Sequence, residues 1–268
     1  MFAALSAPRR RLILGLVAAA LIAVVVSTIL IVSAHTSAGQ DRSVPQDQPG
    51  PVLLVPGYGG SVSGLGSLAT SLRAAGKSVQ IVTLPDNAQG DLRDQAMALD
   101  RAVNAALASS RARSVDVIGY SAGGVVARLW ARDFRGADRS RRIVSLGSPQ
   151  HGTLVAQLGT FFTGVCPVAC TQLAPNSALL TALNAPPETP KGPSFVSIWT
   201  TGDEVVLPPT SAEVSGAVNI SVQSVCPSVV LRHEGLPTSP IVAAMVLGEV
   251  GVQPVRTYTP ADCRSLSS

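Results

Sequence analysis

Apolar and polar positions repeat along this chain with two different periods, and the switches between them mark its elements. The first feature is a long apolar run from Leu12 to Ser33, free of charge and built almost entirely from Leu, Ile, Val and Ala. At 1.5 Å per residue it is long enough to cross a hydrocarbon core of roughly 30 Å. From Pro51 onward, short β-branched runs alternate with longer stretches of helical spacing. The pattern predicts strands at 52–55, 79–84, 114–118, 142–146, 194–200 and 218–222. Helices are expected at 66–75, closed by Gly76, and at 91–110, 124–134 and 239–249. In the second of these, Leu92, Ala96, Leu99, Val103 and Leu107 fall on one stripe. Such alternation predicts an α/β domain with a mostly parallel sheet and helices on both faces. Residues 148–192 break the alternation, with helical patches at 155–162 and 172–184 interrupted by five prolines. They are expected either as a surface excursion or as a wall over a substrate site.

This organisation gives a basic N-terminus (1–11), an apolar segment (12–33), a polar, proline-bearing stalk (34–51) and one domain (52–268). Arg9, Arg10 and Arg11 precede the apolar segment, so the N-terminus is expected in the cytoplasm and the domain outside it. The segment is read as a transmembrane signal anchor. A cleaved signal peptide is the alternative, since Ser33, Ala34, Ser37 and Ala38 are small enough for a peptidase, although the run exceeds an ordinary signal core. The domain is accordingly membrane-anchored or secreted.

Composition changes that picture in two ways. Of the formal charge of +4, the three arginines ahead of the apolar run supply most. The domain itself is near neutral, and nothing recommends a nucleic-acid partner. Four cysteines, Cys166, Cys170, Cys226 and Cys263, all follow the apolar run. An even number in an exported domain suggests two disulfides. Three pairings are open, and proximity in sequence favours Cys166–Cys170 with Cys226–Cys263. The spacing is not that of a zinc site, and no histidine lies nearby.

The chemistry centres on Gly119-Tyr120-Ser121-Ala122-Gly123, between a predicted strand and a predicted helix. A serine there stands on a sharp turn, at the positive end of the helix, and small flanking residues let the chain pass. A tight turn needing small residues for packing alone is the competing reading. A serine hydroxyl needs a base, and the base an orienting carboxylate. The chain has three histidines, of which His35 lies in the stalk. His233, after the last predicted strand and in the chain order serine, acid, histidine, is favoured over His151, which directly follows a predicted strand. Asp203, just past the 194–200 strand, is the favoured acid, with Glu204 and Asp86 as rivals and Asp116 read as structural. The backbone N–H groups of Ala122 and Tyr58 are the candidate oxyanion hole, the second from the glycine-rich loop 56–60.

Taken together, these segments resemble the α/β-hydrolase fold and, within it, the bacterial secreted lipase and esterase family. The resemblance covers roughly residues 52–248. It is carried by Val-Pro-Gly-Tyr-Gly-Gly at 55–60, Gly-Tyr-Ser-Ala-Gly-Gly at 119–124, Gly-Ser-Pro-Gln-His-Gly-Thr at 147–153, Thr-Gly-Asp-Glu-Val-Val at 201–206 and the late His233. Pro56 stands where the family usually has a histidine. The resemblance implies hydrolysis of carboxylic esters through an acyl-enzyme, with no metal or organic cofactor. The short chain leaves little room for a large cap domain, and the open cleft expected from this fits lipid or medium-chain esters. The resemblance leaves open an acyltransferase on the same scaffold and a non-catalytic binding protein. A monomer is the expected state.

Overall fold

The computed structural model describes residues 20–28, 44–156 and 166–267. They fall into two units, 1–42 and 43–268. In the first, residues 20–28 are helical and leave Leu21, Ile22, Val24, Val25 and Val26 exposed. Among the described residues no helix is long and apolar enough to cross a membrane. The expected span 12–33 and the basic segment 1–11 otherwise lie outside the described residues.

The second unit is built on six parallel strands: β1 (Val52–Val55), β2 (Val79–Ile81), β3 (Val115–Tyr120), β4 (Ser140–Leu146), β5 (Ser194–Trp199) and β6 (Val218–Ser221). Their order is β2-β1-β3-β4-β5-β6. Every residue of β1 is buried, because helices cover both faces of the sheet and the strand's side chains alternate between them. Leu53 and Val55 join one core with α2 (Leu92–Ser110) and α3 (Ala122–Asp133). Val52 and Leu54 join the other, with α1 (Ser63–Ala74) and α7 (Pro240–Glu249). Between these lie α4 (Val168–Gln172), α5 (Ala178–Leu183) and α6 (Val222–Val225), and α8 (Cys263–Leu266) closes the chain. Burying a Leu or Val side chain fully contributes roughly 1.5–3 kcal/mol, so these two cores hold the layers together.

Two departures from the expected elements have local causes. The strand expected at 79–84 pairs only over Val79–Ile81, because β2 is an edge strand and Pro85 turns the chain away after Leu84. Of the helical patch expected at 172–184, only Gln172, the last residue of α4, and Ala178–Leu183, α5, are helical, with Pro175 and, in the left-handed region (φ 60°), Asn176 between them. Ser177 then caps α5 by accepting from the N–H of Leu180. Of the expected 155–162 patch, residues 157–162 lie outside the described residues.

Both disulfides join the cysteines that proximity favoured, Cys166 with Cys170 and Cys226 with Cys263. At the edge where the strands begin, Asp116 and Arg141 form a fully buried ion pair at 2.5 Å. Arg141 also donates to the carbonyls of Gln46, Val250 and Gly251, while Arg142 reaches the Gln46 side chain and the carbonyls of Glu249 and Gln253. The chain entering the domain and the chain leaving α7 are thus fastened to the same edge.

Candidate active site

At the other edge, β1 is flanked by β2 on one side and β3 on the other, so the connections after β1 and β2 leave in opposite directions. The crevice outside the strand ends at such a reversal is where open α/β sheets bind ligands. Here it is a cleft of about 780 Å³, lined by Gly57, Tyr58, Ser121, His233 and the start of α1, among others.

Ser121 follows β3 directly and precedes α3, with φ 53° and ψ −128°. A non-glycine residue held at positive φ is strained, and the close packing around it explains why it persists. A Cβ on Gly119 would collide with the backbone of Gly123 and Gly124, and one on Gly123 with the carbonyls of Val55 and Pro56. Gly57 lies so close that a Cβ there would come within 2.8 Å of the Ser121 Cβ. The loop after β1 is therefore pressed against the serine, and Tyr58 stands at the cleft wall, 41% exposed. Ala122 is the first residue of α3, where backbone N–H groups have no partner inside the helix.

Asp203 and His233 are both buried, and Nδ1 of the imidazole lies 2.8 Å from Oδ2 of the carboxylate. The other carboxylate oxygen accepts from the N–H groups of Val205 (2.9 Å) and Val206 (2.7 Å). Three N–H donors therefore fix the orientation of Asp203, and bonding at Nδ1 leaves Nε2 of His233 for the cleft. Gly147, at φ 52°, packs on this pair, and a Cβ there would stand 3.2 Å from Oδ2 and 3.3 Å from Nδ1.

The rival residues are placed elsewhere. His151 is exposed, with Nε2 3.3 Å from Glu188, and does not line the cleft. Asp116 is consumed by Arg141 at the far edge. Asp86 lies in a short turn after β2 with φ 50°. Glu204 accepts from Nε of Arg232 (2.9 Å) and from the backbone N–H of His233 (3.2 Å). Slight burial works against its charge, but these donors outweigh that and hold its carboxyl below the ordinary range. Among the described residues, no group of His, Cys, Asp and Glu could hold a metal ion.

One participant was not singled out from the sequence. The Tyr120 ring lies 5.2 Å from that of His233, and its hydroxyl donates to the His233 carbonyl at 3.3 Å. Burial pushes the Tyr120 phenol up to about 12, aided by the carboxylates of Asp203, Glu234 and Glu204. The available signal was its place immediately before Ser121, at the end of a strand whose other residues are all buried.

A parallel sheet covered on both faces, with a strained serine between strand and helix and a bonded acid–histidine pair beside it, is the arrangement of the α/β-hydrolase fold, which the chain shares. Residues 51–183 match the family model for palmitoyl protein thioesterase. Among solved structures, lipase B of Aspergillus fumigatus is similar with a TM-score of 0.67 and 21% identity, over 82% of this chain and 56% of that one. The chain thus spans little more than half the length of that lipase. The mature form of the Bacillus licheniformis lipase BlEst2 has a TM-score of 0.63 and 14% identity, over 75% of this chain and 92% of that one. At these identities the two lipases establish the shared fold. No curated protein matches the chain.

Proposed function

We propose that this protein is a serine hydrolase of acyl esters, with Ser121 as nucleophile, His233 as base and Asp203 as the orienting acid. The observation that carries the reading is the 2.8 Å bond between Asp203 and Nδ1 of His233 in the cleft that also exposes Ser121. With Nδ1 committed to the acid, Nε2 is the nitrogen free to take the serine proton. Ser121 Oγ attacks the acyl carbonyl and its proton passes to Nε2. The tetrahedral oxyanion is met by the N–H groups of Ala122 and Tyr58. Collapse breaks the bond to the leaving group, which takes the proton from His233 and departs, leaving Ser121 acylated. Water then repeats the cycle, giving the free acid and restoring the serine.

The match to the thioesterase family model adds acyl thioesters to the substrate class, because a thiolate leaves from the same intermediate. The two disulfides support an exported catalytic unit. Anchorage through residues 12–33 is the companion proposal, carried by the uncharged apolar run alone. The test uses the full chain, kept oxidised, with p-nitrophenyl esters and acyl thioesters of increasing chain length beside Ser121→Ala. Hydrolysis lost in the variant is the expected result. Hydrolysis that survives in Ser121→Ala would overturn the assignment.

A further inference from the structure

His233 sits at the end of a segment with no helix or strand: residues 226–232 are turns and extended chain. His233 is the first residue of the 3₁₀ helix His233–Thr238, so its backbone N–H has no partner inside that helix. The neighbouring loop 200–204 holds it and the segment ahead of it. Thr200 Oγ1 donates to the Leu231 carbonyl at 2.8 Å, and Gln223 bridges Thr200 and the Val229 carbonyl. The two consecutive acids of that loop then end on the same histidine. Asp203 binds the ring, and Glu204 Oε2 binds the backbone N–H at 3.2 Å. The Tyr120 hydroxyl holds the His233 carbonyl.

We infer that Glu204 is a positioning residue for the base, holding His233 by its backbone while Asp203 holds it by its ring. The inference rests on the triad reading above. A simpler role, a surface ion pair with Arg232, accounts for only one of the carboxylate's two oxygens. The Arg232 and Glu204 side chains are 66% and 37% exposed, and ion pairs so exposed contribute little to stability. The second oxygen turns inward, to a backbone group that has no helix or sheet partner. A shift of the imidazole by even an ångström would misalign proton transfer, which can lower rates by orders of magnitude.

The test follows labelling of Ser121 by a fluorophosphonate probe in the full-length oxidised protein, since labelling needs the base but no particular ester. Rates are measured against pH, because Asp203, Glu204, Glu234, Arg232 and the Tyr120 phenol all surround the imidazole. Glu204→Ala is expected to slow labelling about tenfold or more and to displace the pH midpoint, with an unchanged melting temperature. Glu204→Gln keeps an oxygen for the His233 N–H and should recover most of the rate. Arg232→Ala, which removes only the ion pair, should stay within about twofold. Wild-type labelling in Glu204→Ala would overturn the inference. So would equal losses in Glu204→Gln and Arg232→Ala, which assign the effect to the ion pair; that comparison decides if Glu204→Ala does not fold. Labelling that persists in Ser121→Ala would instead sink the triad reading, and this inference with it.

Discussion

The Tyr120 hydroxyl donates to the carbonyl of His233 at 3.3 Å, so the residue that precedes Ser121 also anchors the histidine proposed as its base. Tyr120→Phe should lower the rate of ester hydrolysis by about three- to tenfold, with a stability loss of about 0.5–1.5 kcal/mol for one hydrogen bond. Steady-state kinetics and denaturant melts check both. The phenol also sets a limit in pH. Its folded value is raised above the ordinary 10.0 to about 12, so its contribution is complete below 10.0 and fades as pH rises through about 12. A wild-type activity profile should show no inflection from Tyr120 below that range.

Gly57→Ala tests the pressure of the β1 loop on the serine. Its Cβ would lie 2.8 Å from the Ser121 Cβ and 3.2 Å from the Tyr120 carbonyl oxygen. One of the two backbones has to move, and the Tyr58 N–H moves with the loop. Loss of one oxyanion donor costs about 10²–10³ in turnover, and a loss of that order with a melting temperature within a few degrees of wild type is expected.

Asp116→Ala addresses the opposite edge of the sheet. Breaking a buried pair by removing one partner costs about 3–5 kcal/mol, because the other charge stays buried. Arg141 would be left in that position. Chemical denaturation should register the loss, while labelling of Ser121 per folded molecule should not change, since Asp116 is not in the cleft.

The two disulfides should differ in weight. Cys226–Cys263 closes 37 residues of sequence separation and Cys166–Cys170 only four. Loop-closure entropy assigns about 4 kcal/mol to the first and about 2 kcal/mol to the second. His233 lies inside the larger loop, so Cys226→Ala/Cys263→Ala should lose activity before it loses global structure. Thermal melts followed in parallel with hydrolysis distinguish the two effects.

Most of the sheet was legible because strands buried on both faces are written as unbroken apolar runs; β1 begins and ends where Val52–Val55 predicted. The elbow was legible because its five residues are contiguous in sequence and stand between a predicted strand and a predicted helix, and Gly119 is demanded by the backbone of Gly123 and Gly124 just beyond it. The acid and the histidine could be named from chain order, and they do meet. Glu204 and Tyr120 could not be assigned their bonds, because these depend on the path of the irregular segment 226–232, which follows no period. The split between α4 and α5 turns on one left-handed residue, Asn176, that helical spacing does not reveal.

The grip of Arg141 and Arg142 on Gln46 has a mechanical meaning. Tension applied to the chain ahead of Val44 enters where the strands begin, on two buried guanidinium groups that are also tied to residues 249–253. The cleft with Ser121 and His233 stands where the strands end. A pull on the N-terminus is therefore carried by the base of the sheet and reaches Ser121 and His233 only after that clamp has given way.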